Sequence, residues 1–272
     1  MRALSPDQAE FTMGQTLENA FPANGPATIT LKALSFRFGA HIVLSGIDLD
    51  IAPSEFLVVL GPSGCGKSTL LRLLAGLIRP SSGTVQHHPR APEIGFVFQE
   101  ASLIPWRTSL ENVTLPLEIR GQDPTQARLK AQGLLESMGL SGFERHYPSA
   151  LSGGMRMRVS IARALADAPG LLLLDEPFGA LDERTRRRLD DHLRQLTRAL
   201  SITTVMVTHS IEEAVRIADR IVVLGKNPGR LLVERRLPEN LSAQDRHRWQ
   251  QELTEALDGA EASDSPAGAR SC

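Results

Sequence analysis

The strongest chemical signal in the chain is nine consecutive residues, Gly61-Pro62-Ser63-Gly64-Cys65-Gly66-Lys67-Ser68-Thr69. They fit G-x-x-x-x-G-K-[ST], a loop whose successive backbone N–H groups cradle phosphate oxygens. Glycines let the loop bend inward, and a helix opening directly after it adds a positive dipole end. Lys67 then reaches β- and γ-phosphates, and the Ser68 hydroxyl suits Mg²⁺. A second signal is Leu171-Leu172-Leu173-Leu174-Asp175-Glu176-Pro177. An apolar strand ending in a carboxylate beside a phosphate loop supplies an acidic group for Mg²⁺, a role that Asp175 fits. Glu176, one residue on, suits polarising an attacking water. A third is Leu151-Ser152-Gly153-Gly154-Met155, where a serine and two glycines at a helix start make a second anion-binding turn. The fourth, Thr204 to His209, is an apolar strand that delivers His209 to the sheet edge where open α/β sheets bind ligands. Taken alone, the last three have ordinary readings: a strand end meeting water, a serine N-cap, a structural histidine. Beside a phosphate loop the functional reading is the better one. Two phosphate turns far apart in one chain make sense if two chains sandwich nucleotide between them.

Strands and helices must hold these residues in place. Continuous apolar runs predict strands over 28–36, 56–60, 94–98, 171–174, 203–207 and 220–224. Amphipathic patterns predict helices over 67–77, 126–138, 152–167, 184–200, 211–218 and 243–257. Buried strands alternating with helices argue for a largely parallel sheet covered on both faces. From about Leu103 to Leu165 only helical pattern is found, between Pro and Gly punctuation, and it reads as a helical insertion. Residues 1–27 read as a flexible leader, 28–236 as the main domain, and 237–272 as a C-terminal helix with a disordered tail that frays from Glu261. The run Arg186–Arg188 shares its helix with Asp190 and Asp191 and reads as a solvated face.

Composition narrows the classes further. Thirty basic residues against 31 acidic ones leave a net charge of −1, which gives no field for holding a nucleic acid. No run approaches the ~18–20 apolar residues of a membrane-spanning helix. Residues 1–28 carry no secretory pattern. Two cysteines, Cys65 and Cys272, make no disulfide framework, which predicts a reducing, cytoplasmic setting.

In order and spacing, the motifs resemble the ATP-binding subunits of ABC transporters over about residues 28–236. Walker A lies at 61–69, a Q-loop at Gln99, the signature at 151–155 and Walker B at 171–176. A D-loop follows at Gly179-Ala180-Leu181-Asp182, and a switch histidine at His209. The resemblance implies an α/β fold: a P-loop NTPase (RecA-like) core with a mostly parallel sheet, an N-terminal antiparallel β portion, and a helical ABC subdomain at about 100–165. It implies ATP and Mg²⁺ as ligands. Phe38 would stack on adenine, residues 61–69 would hold the phosphates, and Ser68, Gln99 and Asp175 would face Mg²⁺. Gln99 would also contact the attacking water, Glu176 would be the catalytic base, and His209 would hold the γ-phosphate. Ser152, Gly153 and Gly154 would complete the site of the opposite subunit, and Asp182 joins the nucleotide-binding set.

Finer details are similar to the nitrate/sulfonate/taurine group of bacterial importers: Ile104-Pro105-Trp106, Leu110-Glu111-Asn112-Val113, Met155 and Pro228-Gly229-Arg230. That resemblance implies a homodimer of ATPase subunits on the cytoplasmic face of the inner membrane, held there by transmembrane permease subunits. A periplasmic or lipid-anchored substrate-binding protein would act through the permease, and the cargo would be a small anion, with aliphatic sulfonate preferred. No nucleic acid is implied. Trp106 has two readings, a partner-facing residue or a buried anchor for its loop. The alternative class is a soluble non-transport ABC ATPase; the chain lacks the long heptad insertion, second cassette and basic surplus that it would carry. Three residues depart from the family's pattern: Met155 for glutamine, Phe38 for tyrosine, and Ser210 for aspartate after the histidine. The stretch after Arg236 is too short for the C-terminal regulatory domain of some relatives.

Overall fold

A computed structural model describes residues 28–88, 92–179, 182–238 and 241–262. The expected leader at 1–27, the tail beyond 262, and Ala180 and Leu181 of the D-loop lie outside the described residues. In chain order the elements are β1 (Thr28–Phe38), β2 (His41–Ile51), β3 (Phe56–Leu60), α1 (Lys67–Leu74) and β4 (Ser82–His88). Next come β5 (Ile94–Val97), α2 (Ser109–Ile119), α3 (Pro124–Ser137), α4 (Gly153–Leu165), β6 (Leu171–Asp175) and α5 (Glu183–Ala199). The chain ends through β7 (Thr203–Thr208), α6 (Ile211–Ile217), β8 (Arg220–Leu224), β9 (Leu231–Arg236) and α7 (Ala243–Ala262). They fall into two units: 28–90 with 205–272, and 91–204. The class is α/β, and parallel pairing predominates among the buried strands.

In the first unit, β1 is the middle strand of an antiparallel sheet, flanked by β2 and β4. This is the N-terminal antiparallel portion that the resemblance implied. The buried strand β3 pairs in parallel with β8, Leu57 opposite Arg220 and Leu60 opposite Val223, and β9 runs antiparallel on β8. A buried ion pair fixes that arrangement. Arg220 Nε and Nη2 donate to both Glu55 carboxylate oxygens at 2.7 and 2.9 Å, and Nη1 donates to Glu234 at 2.6 Å. Asp219 reinforces it, accepting from the Phe56 amide at 2.8 Å. The two strand starts are thus clamped in register, which aims the loop after β3.

In the second unit, β5 pairs in parallel with β6, Val97 opposite Leu174. Gly95 is required there, since a Cβ would come within 2.5 Å of the Ala164 carbonyl of α4. Helix α2 packs on α3 and α4, and each helix starts on a side-chain cap. Thr108 and Glu111 form a capping box, Asp123 accepts from the Thr125 and Gln126 amides, and Ser152 accepts from Met155. Among the described residues, 103–165 holds no strand.

Three strands carry too little apolar pattern to be predicted from the residues. β4 is almost wholly exposed, and β9 alternates half-buried with exposed residues; both draw their order from the strand they pair with. The third, β2, has its regularity interrupted by register shifts against β1. Helix α1 stops at Leu74, short of the expected 77, where Gly76 takes a left-handed φ of +68°. Helix α7 runs to Ala262, past the expected 257 and into the start of the stretch expected to fray.

Candidate active site

The first unit carries Phe38, the phosphate loop and His209. All five residues of β3 are buried, and the chain turns sharply at its end. At Gly61 a Cβ would lie 2.6 Å from Cys65 Sγ and 2.8 Å from the Leu224 carbonyl. Gly66, the residue that caps α1, has φ +101°, and a Cβ there would meet Leu44 at 2.7 Å. Glycine is therefore dictated by both space and backbone. The Lys67 ammonium donates to the carbonyls of Gly61 at 2.7 Å and Pro62 at 3.1 Å, so it is pinned at the loop. No acidic residue stands in the first turn of α1 to offset its positive end. The Cys65 thiol is buried against this loop; burial pushes it above its ordinary range despite the neighbouring Lys67 charge.

Sequence reasoning missed one support of the loop. Gly229, noted only as a mark of the importer group, lies against it: a Cβ there would be 2.3 Å from the Cys65 carbonyl and 2.8 Å from Leu44. Its amide donates to the Val43 carbonyl at 2.8 Å, and its own carbonyl accepts from Ser45 at 3.0 Å. The turn between β8 and β9 thus backs the phosphate loop, a contact that no local spacing announces.

Phe38 is 57% exposed at the β1–β2 turn, its ring edge-on to Phe36 with centroids 4.8 Å apart. His209 is exposed just beyond β7. The Ser210 departure keeps the local scaffold. Its hydroxyl caps α6 by accepting from Glu213 at 3.2 Å, its amide donates to Thr208 Oγ1 at 3.1 Å, and Thr208 in turn bonds the buried Glu213 carboxylate. A short oxygen-bearing side chain is what the cap requires, and serine supplies it.

The second unit carries Gln99, Ser152–Gly154, Asp175, Glu176 and Asp182. Asp175 ends β6 and is 5% exposed. Glu176 turns into the left-handed region at φ +45°, a strained conformation for a residue with a side chain, and its carbonyl accepts from Gly179 at 3.3 Å. Gln99 is exposed after β5. The segment that follows is tied to α4 by Arg163, which donates to the carbonyls of Ala101 and Ser102 at 3.1 and 3.0 Å. Asn112, fully buried, exchanges hydrogen bonds with Ile104 at 2.8 and 3.2 Å and donates to Arg107 and Thr108. That bonding explains the Leu110–Val113 phrase. It holds Trp106 outward, 76% exposed, which overturns the buried-anchor reading.

Ser152 caps α4 through its hydroxyl, and the partner is the backbone amide of Met155, so the Met155 side chain takes no part. Arg156 braces the turn by donating to the Leu151 carbonyl at 2.7 Å. Asp182 caps α5; its hydrogen bonds with Thr185 hold it below the usual carboxylate range. The arginine run is a solvated face at Arg187 and Arg188, both exposed, while Arg186 is half-buried. Arg186 donates to the Phe178 carbonyl at 3.2 Å, and Arg187 pairs with Glu183, as a water-facing side chain does. Arg188 lines a cavity.

Comparison with known proteins agrees with this chemistry. The family model described as "ABC transporter" matches residues 44–179. The aliphatic sulfonates import ATP-binding protein of Mesorhizobium japonicum is 44% identical over 227 residues, 80% of this chain and 83% of that protein. The sulfate/thiosulfate import ATP-binding protein of Chromobacterium violaceum is 47% identical over 211 residues, 75% of this chain and 57% of that protein. Among solved structures, the dimeric post-hydrolysis state of the ATP-binding cassette MJ0796 bound to ADP and Pi is similar with a TM-score of 0.70. It is 35% identical and covers 78% of this chain and all of that one.

Proposed function

We propose, on the premise that this chain belongs to the ABC transporter family and is one of its ATPases, that it powers import of a small sulfur oxyanion as the ATP-hydrolysing subunit of a membrane transporter. The observation that carries the reading is the phosphate loop itself: a turn with no room for a side chain at Gly61 or Gly66, ending in a buried lysine and a helix whose first turn holds no acidic residue. That cradle fits a nucleotide triphosphate, whose oxygens take the loop's N–H groups and the Lys67 ammonium. Ser68, Gln99 and Asp175 offer hard oxygen donors, the kind Mg²⁺ takes. The ion, when bound, neutralises phosphate charge.

The chain's own residues then divide the work. Lys67 holds the β- and γ-phosphates. Glu176 accepts a proton from the attacking water, which Gln99 and His209 orient, and His209 contacts the γ-phosphate. Phe38 offers an exposed ring face to adenine. Ser152, Gly153 and Gly154 seal the nucleotide of a second copy, with Asp182 of the D-loop beside them, so two chains build two sites head to tail. Loss of the γ-phosphate removes that bridge and the dimer loosens, a switch driven by differential binding of ATP and ADP.

Among the described residues no helix is long and apolar enough to cross a membrane. We infer that transmembrane permease subunits hold the dimer at the cytoplasmic face of the inner membrane, with a substrate-binding protein acting through them. The helical stretch of α2 to α4, the family's helical subdomain at about 100–165 within the domain 28–236, is the docking region. Trp106 and Ile119 support this, 76% and 77% exposed. The relatives are named for aliphatic sulfonates and for sulfate/thiosulfate, two classes of sulfur oxyanion, and the features of the nitrate/sulfonate/taurine group favour sulfonate. These names give a soluble non-transport role no support.

Mixing Lys67→Ala chains with Ser152→Arg chains tests the composite site. Each homodimer is expected to be inactive and the mixture to regain roughly one working site per heterodimer. A mixture as dead as its parents overturns the sandwich. Growth on single sulfur sources after gene deletion tests the cargo; loss on an alkanesulfonate with growth kept on sulfate is the expected pattern.

A further inference from the structure

Helices α3, α4 and α5 of the second unit line a cavity of about 610 Å³, whose walls include Met138, Gly139, Arg158, Arg188, Asp191 and His192. Its polar groups are incompletely matched. Arg158 Nη1 donates to the carbonyls of Met138 at 2.9 Å and Gly139 at 3.3 Å, while its Nε is buried without a hydrogen-bond partner. The His192 Nε2 is likewise buried and unpartnered. Two arginines share the cavity against one carboxylate, Asp191, which has interactions of its own. Burial, and then the like charge of Arg188, push the Arg158 guanidinium down from its ordinary range. Burial does the same to His192, outweighing its hydrogen bond to the Ser137 backbone. Two neighbouring guanidiniums facing a single carboxylate are donors in excess of acceptors, and the idle ring nitrogen can add to them only by taking up a proton.

We propose that this cavity is a binding site for a tetrahedral oxyanion, phosphate or sulfate, held by the guanidiniums of Arg158 and Arg188, with His192 taking up a proton beside the bound anion to become a third donor. Its residues are not those of the phosphate loop, and the proposal is independent of the transport reading. Its occupant joins the end of α3 to α4 and α5, the helices that begin at Ser152 and Asp182, and so stiffens the unit that carries the signature turn. Phosphate would come from the protein's own ATPase reaction, and sulfate from the surrounding solution.

The test is thermal melting of the full chain with saturating MgADP, so that the phosphate loop is filled. Sodium sulfate, sodium phosphate and sodium chloride are compared at equal ionic strength. A saturable rise in melting temperature with sulfate or phosphate, absent with chloride, is expected. Arg188→Gln, an exposed substitution that leaves the Arg158 tether intact, is expected to weaken the response about ten- to a hundredfold. Arg198→Gln, elsewhere on α5, is expected to leave it unchanged. A response to phosphate alone identifies the reaction product as the ligand; a response to both identifies a general oxyanion site. In ¹H–¹⁵N spectra of the imidazoles, His192 is expected to shift with the anion. Equal effects of all three salts, an undiminished response in Arg188→Gln, or an unmoved His192 signal overturns the site.

Discussion

At the scale of single residues, the backbone of Glu176 is the most telling detail. A left-handed φ of +45° at a glutamate costs of order 1–3 kcal/mol and is kept where a carboxylate must stand in one place. Asp175, directly before it, is buried at the strand end, so adjacent carboxylates meet different surroundings. That difference suits one acid to a metal and the other to water. Glu176→Gln is expected to bind ATP as the parent does and to hydrolyse it about 10²–10⁴-fold more slowly. Nucleotide affinity and single-turnover rate, measured together, check it; parental turnover would remove Glu176 from the base role. The motif was legible because its two acids are adjacent in the chain at the end of one apolar strand. Its strain was not, since a backbone angle has no letter in the sequence.

At the scale of elements, the phosphate loop depends on neighbours from far along the chain. Gly229 leaves no room for a methyl group against the Cys65 carbonyl. Gly229→Ala is expected to cost about 1–3 kcal/mol of stability by overpacking and to raise the Kd for ATP by displacing the loop. A chain that melts lower but binds nucleotide normally would make Gly229 a purely structural residue. The clamp of β8 on the turn before β3 gives a second expectation. Arg220 and Glu55 have side chains only 4% and 5% exposed, so Glu55→Gln leaves a buried guanidinium short of its partner and should cost about 3–5 kcal/mol in urea unfolding. A paired replacement of both by methionine is expected to cost less than the single change. Most helices were readable from their period, but α2 was legible only as part of the helical stretch 103–165, its Thr108–Glu111 capping box unread. Strands β4 and β9 were not, because exposed edge strands lack the apolar alternation that announces a strand.

At the scale of the whole molecule, the central expectation is that activity belongs to pairs of chains. ATPase activity per chain should fall as the protein is diluted and recover with added chain, and Glu176→Gln chains with ATP should migrate as dimers in gel filtration. Constant specific activity down to monomeric concentrations would sink the composite site. The family and the phosphate loop were determined by the sequence alone, because phosphate binding needs particular residues at fixed short spacings that chance does not reproduce, and the same spacing argument nominated the acids Asp175 and Glu176. Only the tertiary structure decided that Trp106 faces outward, that Gly229 backs the phosphate loop, that Ser210 preserves its cap, and that Arg188 lines a cavity with Arg158 and His192. The physical reason is common to all four. Each depends on which atoms lie within a few ångströms, and for residues distant in the chain that proximity is set by packing, which local spacing does not encode.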